Sequence, residues 1–381
     1  MTVLAVAALS ARMLAEAARA DGFDVVALDV FGDADTRRAC SHWVPIGAPE
    51  TLRIDAAMLL SALGGLAQRG DVIGWMAGSG FEGQPDLLAR GAALLPLIGT
   101  PTEAQRQVRD PQAFFAVLDH CGIPHPAVRM TAPMEAAGWL VKDARGCGGW
   151  HIRRAIAGEP APGHLHAHLP AHHYFQREVP GTPMSATFIA NGSDACVLGF
   201  NELTVRRFGA RPFVFCGAVG PVALPPDVAQ RIGAGVRGLA ATFALRGLAS
   251  LDFMLDGAAF SVLEVNPRPP ASMALYGRHG VVAAHLRACL HGELPLGTSV
   301  SPGGSVHGTG IVFAPRPTKL DARAAQRLAS LAGCHDLPFA ATHFNAADPV
   351  CSVSAQGDTA VQVRGMLAQR CAAVHQFLET L

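Results

Sequence analysis

The first hundred residues alternate short apolar runs with segments of helical period. TVLAVAA, FDVVALDV, HWVPI and DVIGWMA read as strands, and SARMLAEAARADG between the first two places apolar residues three and four apart. Apolar strands separated by helices predict a parallel sheet covered on both faces, an α/β arrangement. The pattern runs to LPLIGTP and predicts a first domain over residues 1–98. The turns after two of its strands, Ser10-Ala11-Arg12 and Gly78-Ser79-Gly80-Phe81-Glu82, fall at the carboxyl edge, where such sheets bind ligands. Ser10, Arg12 and Glu82 are therefore candidate substrate residues, with ordinary loop chemistry as the competing reading.

The pattern then changes. Residues 99–172 hold a probable-helix signature, DPQAFFAVLDHCG, the breaker IPHP, and then a strand, a glycine loop and a strand in GWLVKDARGCGGWHIRR. Residues 173–295 read as antiparallel strands, HYFQREV, PMSATFIANG, ACVLGFNELT and PFVFCGAV, followed by a helix over VAQRIGAGVRGLAATFAL and a hairpin over LDFMLDGAAFSVLEVN. Residues 296–381 change pattern again, through GGSVHGTGIVFAP and DPVCSVSAQG to an amphipathic helix from Thr359, and predict a smaller closing domain.

The hairpin carries chemistry in an otherwise apolar stretch. Asp-Gly at residues 256–257 is a short-range turn signal, so LDFML and FSVLEV should pair antiparallel. Glu264, Asn266 and Arg268 are two apart and share a face if the segment is extended; the face of Asp252 depends on register. Buried without partners, such groups would each cost several kcal/mol. Two readings are open: a row of hard oxygen donors for Mg²⁺ with substrate phosphates, or a salt-bridged hairpin edge.

Composition sharpens this. The 381 residues allow roughly two to three domains. At 50% apolar and 16% charged the bulk of the chain is not disordered, and equal numbers of basic and acidic residues give no sign of a nucleic-acid or anionic-membrane partner. No apolar run is long enough for a membrane span, and the N-terminus lacks the positive segment of a signal peptide. Nine scattered cysteines without a CxxC pair fit reduced thiols and a cytoplasmic location. HLHAHLPAHHY at residues 164–174 invites a metal reading, but without a nearby acid or cysteine it reads as a surface loop.

Only two lysines, Lys142 and Lys319, stand beside 28 arginines, so a lysine in an ordered element is conspicuous. Lys142 precedes Gly146, Gly148 and Gly149, whose loop could close backbone N–H groups over an anion with the ammonium as a point charge, or could be a tight hairpin. Arg206, Arg207 and Arg211 make a cationic loop between two strands, either a carboxylate-binding site or a solvated tip.

Taken together, the lysine strand with its glycine loop, the QREV strand and the hairpin ending in ExNxR occur in the order seen in the ATP-grasp superfamily. The resemblance covers roughly residues 1–290 and implies an ATP-grasp fold with an N-terminal Rossmann-like domain like that of biotin carboxylase. It implies that Asp252, Glu264 and Asn266 bind Mg²⁺, with Mn²⁺ as the alternative ion, and that Arg268 faces the phosphate or the carboxylate being activated. It also implies that Lys142 contacts ATP, that Gly146 to Trp150 form a lid, and that Gln176, Arg177, Glu178 and Val179 are the hinge beside adenine. By this resemblance residues 99–172 are the upper lobe and residues 173–295 the lower lobe. One departure is Pro111, where biotin carboxylase has an ATP-binding lysine; Arg106 and Arg109 are the candidates to replace it.

The whole chain also looks similar to small carboligases related to biotin carboxylase, of the tyramine:glutamate ligase kind, in one-carbon cofactor biosynthesis. The implied activity is an ADP-forming carboxylate-amine ligase with small-molecule substrates and a homodimer as the candidate assembly. Biotin-carboxylase-like carboxylation and a nucleotide-binding protein without turnover are the alternatives.

Overall fold

A computed structural model of the chain describes residues 2–156, 172–277, 279–295 and 304–381. Most of the histidine-rich stretch lies outside these residues. Near the N-terminus, strand residues alternate between two cores: Val3, Ala5 and Ala7 pack with Leu59, Leu63 and Trp75, while Leu4 and Val6 pack with Leu14, Ala18 and Met76. Both faces of this sheet are thus buried, which is why its strands carry continuous apolar runs. The strands pair in parallel in the spatial order His42–Pro45, Asp24–Asp29, Val3–Ala7, Val72–Ala77.

The next segment opens with two helices, Thr102–Arg109 and Pro111–His120, the second started by the Asp110 side chain accepting from the Ala113 amide at 2.8 Å, with Pro111 in its first turn. Four short antiparallel strands follow as an upper sheet, ordered Val128–Arg129, His173–Arg177, Trp139–Asp143, Arg153–Arg154.

Below it lies an eight-stranded antiparallel sheet. Its first five strands in space are Ala259–Asn266, Arg246–Asp256, Thr182–Asn191, Ala195–Phe208 and Arg211–Val222. The C-terminal segment continues the same sheet, because Gly217 to Gly220 pair with His307 to Gly310, and Pro349–Gly357 and Cys334–His335 follow. The segment keeps a core of its own, with Val312, Leu328, Val353, Val363, Leu367 and Phe377, under the helix Ala360–Glu379.

Strand alternation then builds a cleft. Met184, Ala186 and Phe188 enter the lower core against Val228, Ile232, Val236 and Leu239 of the helix Pro226–Thr242. Ser185 and Thr187 between them face the other way, and Ser185 lines the space under the upper sheet. The hairpin turns at Gly257, whose φ of +58° suits glycine, and a register shift after Asp252 sets the pairing Asp252 with Glu264 and Ser250 with Asn266. All nine cysteines are free. Among the described residues no helix is long and apolar enough to cross a membrane.

Candidate active site

Between the two sheets lies a cavity of about 460 Å³. Lys142, Gly148, Gly149, Gln176, Arg177, Glu178, Val179, Asp252, Glu264, Asn266 and Arg268 all line it, although they come from five separate stretches of sequence.

Its floor is anionic. Asp252 and Glu264 are cross-strand partners, so their side chains leave the same face of the sheet. Burial first, and then repulsion from Glu264, push Asp252 up to about 7. Burial also opposes ionisation of Glu264, but Lys142, His151, Arg109 and Arg268 outweigh it and hold that carboxyl below the ordinary range. Asn266 donates its amide to Asp252 at 3.1 Å, which leaves its carbonyl oxygen available. Two facing carboxylates and an amide oxygen fit the donor set of a hard divalent cation, which would relieve the repulsion that raises Asp252.

Lys142 is buried and donates to Gln176 Oε1 at 3.0 Å. Burial works against its charge, but Tyr174, Glu264 and Asp252 outweigh it, and its pKa lies above the usual lysine value. Among the described residues Gln176 Nε2 and His151 Nδ1 are buried polar atoms with no hydrogen-bond partner, and both residues line the cavity. Orphaned polar atoms at a cavity wall are what a polar ligand satisfies. In the stretch expected to be the hinge, Arg177 N–H donates to Ala127 O at 2.8 Å and Glu178 N–H to Gly138 O at 2.9 Å. Among the described residues the Val179 amide has no backbone acceptor, so of the three it is the one open to a ligand. The Glu178 side chain is paired with Arg154 at 2.6 Å.

The glycine loop rests on the lower sheet. Phe215 N–H donates to Gly148 O at 2.9 Å, and a Cβ on Gly149 would sit 1.9 Å from the Phe213 carbonyl oxygen. Gly148 and Gly149 have φ of +62° and +78°. Gly146 does not line the cavity; it leaves room for the His151 ring, which a Cβ would meet at 2.2 Å. Trp150 packs against Phe208 and Phe313 with tilted and edge-on rings, centres 5.5 and 6.1 Å away. Of the two arginines considered for the position of the absent lysine, Arg106 is in an exposed pair with Asp86. Arg109 donates to the carbonyls of Ala144 and Gly146, at 2.5 and 2.8 Å, and so holds the stem of the loop.

Glu82 reaches the site from the N-terminal domain. Its carboxylate takes Arg268 Nε at 2.6 Å and the Gly80 amide at 2.7 Å. Burial opposes the charge, but Arg268 and Arg109 prevail, and Glu82 lies below its ordinary pKa. Ser10 and Arg12 lie apart from the cavity. Both bond to Asp336 of the C-terminal segment, and Arg12 also faces Glu16 and Asp35. Arg206, Arg207 and Arg211 are exposed at a hairpin tip outside the cavity lining. Glu16, Asp35 and His335 approach closely enough to hold a cation, and Arg12 already supplies the positive charge beside the first two.

Sequence reasoning did not single out Ser185, His151, Ser250 or Ser272, which also line the cavity. The signal for two of them was the alternation itself: in MSATF and ASLDF the small polar residues occupy the face opposite the core.

The cleft between two antiparallel sheets, with a buried lysine above and an acid-acid-amide row below, is the arrangement of an ATP-grasp fold. Residues 109–272 match the ATP-grasp domain family. Over 228 residues it is 28% identical to the carbamoyl phosphate synthase large chain of Thermus thermophilus, an alignment covering 54% of this chain and 22% of that protein. In fold the chain is similar to the biotin carboxylase of Campylobacter jejuni, with a TM-score of 0.70 at 13% identity, over 95% of this chain and 89% of that one. It is also similar to the L-amino acid ligase of Bacillus licheniformis, with a TM-score of 0.67 at 15% identity, over 97% of both chains. A third likeness is to N5-carboxyaminoimidazole ribonucleotide synthetase of Thermus thermophilus, with a TM-score of 0.66 at 18% identity, over 97% of this chain and 98% of that one.

Proposed function

We propose that this chain is an ATP-dependent carboxylate-amine ligase that releases ADP and phosphate. The observation that carries the reading is the facing pair Asp252 and Glu264 beside Asn266, set opposite buried Lys142 in one cavity under a glycine loop. Asp252, Glu264 and Asn266 would hold Mg²⁺, which when bound neutralises phosphate charge and orients the terminal phosphoryl group. Lys142 would pair with phosphate, Gln176 Nε2 and the Val179 amide would meet the base, and the loop from Gly146 to Trp150 would exclude water.

In the first step a carboxylate oxygen attacks the terminal phosphorus and the bond to the bridging oxygen breaks, releasing ADP. The amine nitrogen then attacks the acyl carbon and loses a proton, and phosphate departs with one oxygen of the original carboxylate. Arg268, which lines the cavity, would face the anionic groups of both steps. Its guanidinium is oriented by Glu82 and cannot lose its charge.

For the substrates we propose glutamate or a related amino acid and a small primary amine. Support comes from the likeness to the L-amino acid ligase in fold and from the resemblance to tyramine:glutamate ligase-like enzymes of one-carbon cofactor biosynthesis. The test is ADP release with ATP, Mg²⁺, each common L-amino acid and either hydroxylamine or tyramine. Release that needs carboxylate and amine together supports the reading. Release that bicarbonate alone sustains favours carboxylation, and no turnover with any combination contradicts the ligase.

A further inference from the structure

The polar floor does not stop at the acids. Strand register puts Asn201, Ser185, Asp252 and Glu264 in one row across four strands, and Thr187, Ser250 and Asn266 in the next. All are small or polar on a face whose alternate residues form the core. Only the end of the row nearest Glu264 is explained by cation and nucleotide.

At the other end the hydrogen bonds have a direction. Tyr276, at the end of the short helix Ala271–Tyr276, donates its hydroxyl to Asn201 Oδ1 at 2.7 Å. Asn201 Nδ2 then donates to Ser185 Oγ at 3.2 Å and to Thr187 Oγ1 at 3.0 Å. The same nitrogen lies 3.5 Å from the Ser185 carbonyl oxygen, an acceptor only, which fixes the orientation of the amide. Asn201 is fully buried, and the absence of a side chain at Gly220 makes room for it: a Cβ there would be 2.2 Å from Oδ1. Burial raises the Tyr276 pKa, so the phenol stays a donor.

The consequence falls on Ser185. Its oxygen is already an acceptor, so its hydrogen must be given elsewhere, and among the described residues it has no acceptor. Ser185 and Ser272 both line the cavity, and Ser272 Oγ lies 2.7 Å from Thr187 Oγ1 in the same network. The hydrogen given into the cavity needs an acceptor, which a substrate oxygen supplies and an ammonium does not.

We propose that the Ser185 hydroxyl donates to an oxygen of the carboxylate being activated, and that Asn201 and Tyr276 are positioning residues that aim it. The proposal rests on the ligase reading of the cleft. The terminal phosphate of the nucleotide offers the same acceptor chemistry, and the two sources separate in the kinetics.

The experiment uses the full chain with ATP, Mg²⁺ and hydroxylamine, and the L-amino acid that gives the most hydroxamate with the wild type. Ser185→Ala should raise the KM for that amino acid about tenfold, with the KM for ATP within about twofold, as loss of one hydrogen bond to a charged group predicts. Ser185→Thr, which keeps the hydroxyl, should restore most of it, and Tyr276→Phe should raise the same KM about threefold with kcat little changed. A KM for the amino acid unchanged in Ser185→Ala overturns the proposal while leaving the ligase reading standing. A rise in the KM for ATP alone assigns the hydroxyl to phosphate and also overturns it. ADP release that no amino acid stimulates in the wild type overturns the ligase reading and this inference with it.

Discussion

Asp252 and Glu264 stand opposite each other across an antiparallel pair, and their surroundings divide their fates: burial and then Glu264 push Asp252 up to about 7, while neighbouring cations hold Glu264 low. Without a cation the pair is a source of repulsion, and with one it becomes a ligand set. Asp252→Asn should therefore raise the stability of the metal-free protein by about 1 kcal/mol or more at pH 8, and lower turnover at least about a hundredfold. Thermal unfolding in EDTA and in Mg²⁺ with ATP checks this. The wild type should gain stability from the cation and nucleotide, and the variant should gain much less; equal gains would count against the pair as a cation site.

Gly149 is held by geometry on two counts. Its φ is +78°, and a Cβ would lie 1.9 Å from the Phe213 carbonyl oxygen. Gly149→Ala should keep the loop from resting on the lower sheet while leaving the cores untouched. The expected result is a kcat reduced about tenfold or more with a thermal midpoint within a few degrees of wild type. A variant with unchanged kcat would show that the seated loop is not the working state.

Much of this site was legible because it depends on local periodicity. Glu264 and Asn266 are two apart in the strand Ala259–Asn266, and strand geometry puts them on one face; Arg268, two residues past the strand end, lines the same cavity. Lys142 stood out because lysine is scarce, and the glycines after it marked a loop. What could not be read is what depends on partners far away in sequence. The pairing of Asp252 with Glu264 needs the register shift after Asp252. Glu82 meets Arg268 across 186 residues, and Arg12 meets Asp336 across 324. Ser10 and Arg12 sit at a sheet edge of the kind that binds ligands, yet both bond to Asp336 of the C-terminal segment. That segment has the pattern of a separate unit, and it nevertheless extends the lower sheet, because backbone pairing at Gly217 to Gly220 leaves no side-chain signature.

His285 supplies a pH dependence distinct from the site. Leu248 N–H donates to its Nδ1 at 2.8 Å and its Nε2 faces the Ile98 carbonyl at 3.0 Å, an arrangement that fits the neutral ring. Burial pushes its pKa down to about 4 from 6.5. Between those values the unfolded chain binds a proton that the fold does not, so the stability tied to His285 is full above pH 6.5 and falls as pH drops toward 4, by at most about 3 kcal/mol. Denaturant unfolding from pH 8 to pH 4.5 should show this loss. His285→Asn should be less stable at pH 8 but flatter across the range; parallel curves would exclude His285 as the source.

The ligase reading requires that an oxygen of the substrate carboxylate leave with the phosphate. The most direct measurement supplies the amino acid labelled with ¹⁸O in its carboxylate, together with ATP, Mg²⁺ and amine, and follows the label in the released phosphate. The account predicts one labelled oxygen in inorganic phosphate for each amide formed, with ADP as the nucleotide product. Label in AMP with release of pyrophosphate, or unlabelled phosphate during amide formation, would contradict it.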